Sequence, residues 1–124
     1  MLVRMCAASL LLVCGLQAEA GEVTVVGPLF HSHVTASGGF AKGSVEVQNN
    51  TDQVQSVLVY QTDYGFEADG SNRYGDVGSE TRSNGSWIGL STEQIELMPA
   101  ETREVHYSID VPDDATLLGT YWSM

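Results

Sequence analysis

The chain has 124 residues, with 16 acidic against 5 basic side chains and a net charge of −11. A surface this acidic repels phosphate backbones, so nucleic-acid binding, whose affinity comes largely from Lys and Arg displacing counterions, is not expected. Both cysteines, Cys6 and Cys14, fall within the first twenty residues, which leaves the remainder without a disulfide, a catalytic thiol or a thiolate metal site.

Those first residues have their own character. Arg4, the apolar run 5–16 and Gln17-Ala18-Glu19-Ala20 follow the three-part layout of a secretory signal, with cleavage expected after Ala20. The run is too short to cross a hydrocarbon layer of about 30 Å as a helix, and no later segment approaches the roughly 20 apolar residues needed. No membrane insertion is expected, and the product belongs in the periplasm or outside the cell. Lipid attachment at Cys14 is the alternative, but Val13 is bulky where such signals carry a small residue. Residues 1–20 therefore read as a signal peptide. Residues 21–124 suffice for one domain with a core, not for two.

From there the apolar residues recur with period two, and turn-forming clusters punctuate them, which predicts strands rather than helices. Residues 23–26 and 30–34 read as one edge strand interrupted by Gly27-Pro28, a break tolerated at an edge because proline cannot donate to a ladder. Ser37-Gly38-Gly39 turns the chain. Val45 and Val47 alternate with Ser44, Glu46 and Gln48, and this strand stops at the turn Asn49-Asn50-Thr51-Asp52. Residues 54–60 are apolar on both faces, Val57 and Val59 on one and Leu58 and Tyr60 on the other, which predicts a strand central in its sheet.

Residues 63–86, rich in Gly, Asp, Ser and Asn, read as a long loop with one short edge strand. Short strands are expected at 87–90 and 95–97. The clearest strand is 103–111, where Val105, Tyr107, Ile109 and Val111 oppose Glu104, His106, Ser108 and Asp110. Pro112 ends it, and a further strand starts near Gly119. Six or seven short strands with frequent turns predict an all-β, two-layer antiparallel sandwich of immunoglobulin-like type, with an antiparallel barrel as runner-up. A sandwich of this type normally adds a strand after the one that starts at Gly119, so its last strand is expected to be lacking; a sequence cut short is the plainer account, and an open edge that accepts a partner's strand is the sharper one.

The order of motifs is Val45-Glu46-Val47-Gln48-Asn49 with Thr51-Asp52, Asp63-Tyr64 with Asp69-Gly70, then Trp87-Ile88-x-Leu90-Ser91 and Leu97-x-Pro99. Val111-Pro112-x-Asp114 and Gly119-Thr120-Tyr121-Trp122 close it. This order resembles bacterial secreted immunoglobulin-like domains related to pilus chaperones and to the peptidoglycan-binding domain of WxL proteins. The resemblance implies assembly, adhesion or wall association at the cell envelope and no catalytic residues. The chain departs from it at Thr92 and at Pro99-Ala100-Glu101-Thr102. It also has no Lys or Arg between Gly21 and Ala41, where a pilus chaperone would carry the basic pair that grips a subunit's terminal carboxylate.

Several constellations bear on chemistry. His31-Ser32-His33 places two imidazoles on one face of a strand, a spacing that suits copper or zinc if a third ligand such as His106 converges; two exposed edge-strand histidines are the plainer account. Asp63, Glu67, Asp69 and Asp76 supply hard oxygen ligands among glycines, as calcium would require, in a spacing that matches no EF-hand loop; a solvated acidic loop is the plainer account. No Gly-x-Ser-x-Gly elbow is present, and paired carboxylates are expected by chance in so acidic a chain. Trp87 and Trp122 suit either a sugar platform or the core, and Tyr121 a tyrosine corner. The sequons at Asn49 and Asn84 matter only in a glycosylating pathway.

The sequence thus predicts a non-catalytic binding or assembly module of the bacterial cell envelope, acting through strand pairing or surface-loop contacts on a protein partner, with a donated β-strand as one form of that partner. Cofactors are not required, calcium being the one candidate. A metal- or carbohydrate-binding accessory domain, with wall or surface polysaccharide as ligand, and a periplasmic chaperone of surface-structure assembly are the alternatives.

Overall fold

The computed structural model describes residues 22–124; the expected signal segment 1–20, with Cys6 and Cys14, lies outside the described residues. Among the described residues eight strands follow in chain order: β1 Val23–Val26, β2 Phe40–Asn49, β3 Gln55–Leu58, β4 Asp63–Phe66, β5 Asn72–Gly75, β6 Ile88–Leu90, β7 Gln94–Leu97 and β8 Thr102–Asp110. A 3-10 turn, Gly85–Trp87, leads into β6. No helix among them is long and apolar enough to cross a membrane.

The strands form because apolar and polar residues alternate, and each pairing of strands is antiparallel. The longest ladder joins β2 to β8, from Phe40 opposite Asp110 to Gln48 opposite Thr102. Val45 faces Val105 across it, so each β-branched side chain covers its partner on the inner face. β1 and β6 flank this pair, giving the order β1-β2-β8-β6.

The second layer holds β3 paired with β7, and β4 and β5 form a separate two-stranded hairpin. Val47 and Val105 from the first layer meet Ile95 and Leu97 from β7, with Val23, Val45, Val57 and Val59 packed around them. Leu97 is wholly buried. Aliphatic side chains from two sheets thus share one core, and the chain is the all-β two-layer antiparallel sandwich that its alternation predicts.

A polar side chain locks the layers together. Asn49, wholly buried at the end of β2, donates through Nδ2 to the carbonyls of Gln53 (2.7 Å), Leu97 (3.1 Å) and Met98 (3.0 Å). Its Oδ1 accepts from the amide and hydroxyl of Thr51 at 2.9 and 2.8 Å. One amide therefore closes the turn out of the first sheet and fixes both the approach to β3 and the end of β7. A buried amide is tolerated here because donor and acceptor are both satisfied.

Three expectations are corrected. Residues 30–34 form no strand: Gly27 takes φ 94°, Pro28 follows, and the segment runs exposed without a ladder partner. Residues 63–86 hold a hairpin, β4–β5, rather than one short strand; Asp69 accepts from the Ser71 amide at 2.9 Å and hydroxyl at 2.7 Å, and this closes the turn around Gly70 (φ 86°). Finally β3, apolar on both faces, is not central. Among the described residues it pairs only with β7.

Candidate functional site

The uncovered side of β3 is the most distinctive surface of the domain. The amide of Val59 donates to the Glu93 carbonyl at 2.9 Å, and Val57 lies opposite Ile95. In an antiparallel ladder alternate residues turn both backbone groups to the same side. Val57 and Val59 therefore face β7, while Ser56, Leu58 and Tyr60 present N–H and C=O groups to the other side. Thr62 confirms the parity: it exchanges both hydrogen bonds with Met124, at 2.6 and 2.9 Å. The segment 122–124 thus marks a lane antiparallel to β3 on its free side. It is held from the far side by a parallel bridge between Ser83 and Trp122.

Leu58 and Tyr60, on the outer face, are 68% and 72% exposed. On the inner face the two layers part into a groove of about 280 Å³ lined mainly by Val23, Val45, Val57, Val59, Leu90 and Val105. An exposed, uncharged row, Ser56, Leu58 and Tyr60, with backbone groups unpaired among the described residues beside an apolar groove is the feature that folded proteins ordinarily cover or blunt.

At one end of the groove lies Tyr107. Its ring crosses directly over Gly43, where any Cβ would run into the phenol, and its hydroxyl meets His31 Nδ1 at 3.0 Å and His33 Nε2 at 2.9 Å. His31 Nε2 also lies 3.1 Å from the Pro28 carbonyl, which can only accept. A neutral His31 in this geometry carries its proton on Nε2 and accepts the Tyr107 hydroxyl at Nδ1, which leaves His33 Nε2 to donate to the Tyr107 oxygen. Burial pushes the Tyr107 phenol above its ordinary pKa. The two histidines thus converge as their spacing suggests, but on Tyr107 and from a loop. His106 points the other way, 3.9 Å from Glu104.

No family model matches the chain, and no curated protein matches it. Among solved structures it is similar to the ASH / PapD-like domain of human CEP192 (PapD-like domain 7), at 12% identity and a TM-score of 0.44, over 89% of this chain and 74% of that one.

The four acidic loop residues are not brought together. Asp63 is wholly buried and accepts from the Glu80 amide at 2.8 Å, the Ser79 hydroxyl at 3.4 Å and the Ser83 hydroxyl. Burial pushes its carboxyl pKa up, but the Ser83, Glu80, Gly78 and Ser79 hydrogen bonds outweigh it and leave the net value below the ordinary one. Glu67 pairs with Arg73 at 2.6 Å, and Asp69 holds its own turn. Asp76 serves through its carbonyl, which accepts from Ser79 at 3.0 Å. Among the described residues no three His, Cys, Asp or Glu are grouped to hold a metal ion.

Both tryptophans are engaged within the domain. Trp87 packs on Tyr121 with ring centroids 4.8 Å apart, and Trp122 donates through Nε1 to the Tyr64 carbonyl at 2.9 Å. Tyr121 also takes the Arg82 guanidinium over its ring at 5.1 Å; its contacts are made by the ring, not by a corner hydrogen bond.

The basic side chains are engaged within the domain. Arg73 pairs with Glu67 and Glu80, and Arg103 with Glu101, at 2.6 Å each; Arg82 reaches the Leu118 carbonyl, and Lys42 sits 5.2 Å over the Phe40 ring. The acidic excess is left to solvent. Sequence reasoning missed Tyr107 as the meeting point of the histidines, for which Gly43 was the available signal: a glycine inside an alternating strand marks a close approach.

Proposed function

We propose that this chain is a non-catalytic binding module of the bacterial cell envelope, exported by residues 1–20, that engages a protein partner by strand pairing along β3. The observation that carries this is the side of β3 that is unpaired among the described residues: an uncharged apolar strand, built like a central one, with the backbone groups of Ser56, Leu58 and Tyr60 turned outward beside an apolar groove. Strand addition at such an edge draws affinity from main-chain hydrogen bonds and selectivity from alternate side chains.

Amide exchange tests it. In the free domain the Leu58 and Tyr60 amides should exchange quickly while Val57 and Val59, bonded toward β7, stay protected. A peptide of alternating valine and serine, added in excess, should protect Leu58 and Tyr60 and leave Val57 and Val59 as they were. Leu58 and Tyr60 exchanging at the free rate with every strand-forming peptide tried excludes strand pairing at β3. Export is tested separately by mass spectrometry of the secreted product, which should begin at Gly21.

A further inference from the structure

We propose that His31, His33 and Tyr107 form a copper(II) site, in which two imidazole nitrogens and the phenolic oxygen take three positions on the metal and water takes the rest. The site joins the loop between β1 and β2 to β8, and it stands apart from strand pairing at β3.

Three atoms able to bind a metal meet at one place. The Tyr107 oxygen lies 3.0 Å from His31 Nδ1 and 2.9 Å from His33 Nε2, and the two imidazoles stand nearly upright to the phenol ring, at 75° and 80°. Two ligands at right angles on bonds of about 2.0 Å are about 2.8 Å apart, whereas tetrahedral ligands on the same bonds are about 3.3 Å apart. The cluster is closer to the square edge, which suits copper(II) better than zinc. It needs to lose a proton more than it needs to move its side chains.

His31 is oriented as a ligand would be. Its Nε2 lies 3.1 Å from the Pro28 carbonyl, so the lone pair of the neutral ring sits on Nδ1 and is aimed at the Tyr107 oxygen. Metal-binding histidines ordinarily donate their second ring nitrogen to a carbonyl or carboxylate, which fixes both tautomer and ring direction. Tyr107 is held as well, because its ring lies across Gly43 in space that a Cβ would fill. His31 and His33 are exposed, so the remaining positions on a bound ion face water.

The donor set selects the ion. For nitrogen and oxygen ligands, affinity in the divalent series peaks at copper(II). Residues 21–124 hold no cysteine, so no thiolate is there to favour copper(I). Calcium and magnesium, which take oxygen ligands, gain nothing from two imidazoles. The ion forms bonds to His31 Nδ1, His33 Nε2 and the Tyr107 oxygen. The phenolic proton leaves to water, and His33 exchanges its Nε2 proton for one on Nδ1 through solvent. One proton is released per copper, and the metal keeps its oxidation state.

The test titrates copper(II) sulfate into the purified chain at neutral pH, with zinc sulfate in parallel. One equivalent should bind, and a phenolate-to-copper(II) charge-transfer band should rise with it in the visible spectrum. Tyr107→Phe, which keeps the ring over Gly43, should abolish that band and weaken binding. His31→Gln and His33→Gln should each weaken binding at least ~10-fold and, standing on an exposed loop, should keep the parent's urea midpoint. His106→Gln, at the histidine beside Glu104, should change neither band nor affinity.

Copper(II) bound without the band, or with unchanged affinity in both the His31→Gln and His33→Gln variants, is an adventitious ion only and overturns the inference. Zinc bound more tightly than copper(II), or no saturable copper binding, overturns it as well. Protection of the Leu58 and Tyr60 amides by a peptide is measured without metal, so strand pairing and the copper site can each fail alone.

Discussion

Asn49→Asp is the sharpest test of how the layers are held. The change is isosteric and keeps an acceptor for Thr51, but it replaces Nδ2, which serves three carbonyls within 3.1 Å, by a second oxygen. Each hydrogen bond lost is worth about 0.5–1.5 kcal/mol net, and a carboxylate left buried against carbonyl oxygens adds a desolvation and repulsion cost of a few kcal/mol. The total is about 3–5 kcal/mol, a large part of the 5–15 kcal/mol that ordinarily holds a domain together.

The assay is urea unfolding at pH 7. With an m-value of about 1–1.5 kcal/mol/M, the midpoint should fall by roughly 2–5 M, and Asn49→Ala should fall less because it adds no charge. The introduced carboxyl has its folded pKa raised, so its neutral form, which can donate to one carbonyl, is the one the fold prefers. Its penalty is therefore least below the unfolded value of about 3.9 and grows as pH rises through the folded pKa. The gap from the parent should narrow between pH 7 and pH 4. A variant within about 1 kcal/mol of the parent at pH 7, with no such narrowing, would refute the role given to Asn49.

Three other outcomes follow from the same geometry. Leu97→Ala, at a wholly buried position, should cost about 2–5 kcal/mol, whereas Leu58→Ala should change chemical stability by under about 0.5 kcal/mol; both are read by urea unfolding. Asp63 has a lowered folded pKa, so its contribution is present above the unfolded value near 3.8 and is lost as pH falls through the folded one. Asp63→Asn should flatten acid unfolding below about pH 4, followed by circular dichroism. Gly43→Ala forces the Tyr107 ring aside at a cost of about 1–3 kcal/mol and should release His31 and His33, seen as loss of their distinct imidazole resonances in NMR spectra.

Much of the sandwich is legible in the residues themselves. The alternation in β8 and around Val45 and Val47 identifies the two central strands, and Asn49-Asn50-Thr51-Asp52 gives the turn, because period and turn chemistry are local. The β4–β5 hairpin is not legible, since Tyr64, Gly65 and Phe66 lack an aliphatic alternation and its pairing rests on the turn at Asp69. Residues 54–60 do have the composition of a central strand; their place at an edge depends on which neighbours arrive, which composition does not encode. The burial of Asn49 and Asp63 was likewise hidden, because Asn and Asp in polar stretches ordinarily mark solvated turns. His31 and His33 were picked out by spacing, but their real partner, Tyr107, lies far along the chain, and the long-range fold alone brings it to them.

The β2–β8 ladder has a kinetic consequence. It joins Phe40 to Asp110 and Gln48 to Thr102, partners 70 and 54 positions apart in a chain of 124, so a large loop must close before the principal sheet exists. Such high contact order places folding at the slow end for small domains, on the order of milliseconds to seconds. During that interval the row from Val54 to Tyr60 has no layer to lie against. A nascent chain therefore spends its longest-lived unfolded stage with its stickiest segment bare, and its yield should depend on dilution and on holdase protection more than on final stability.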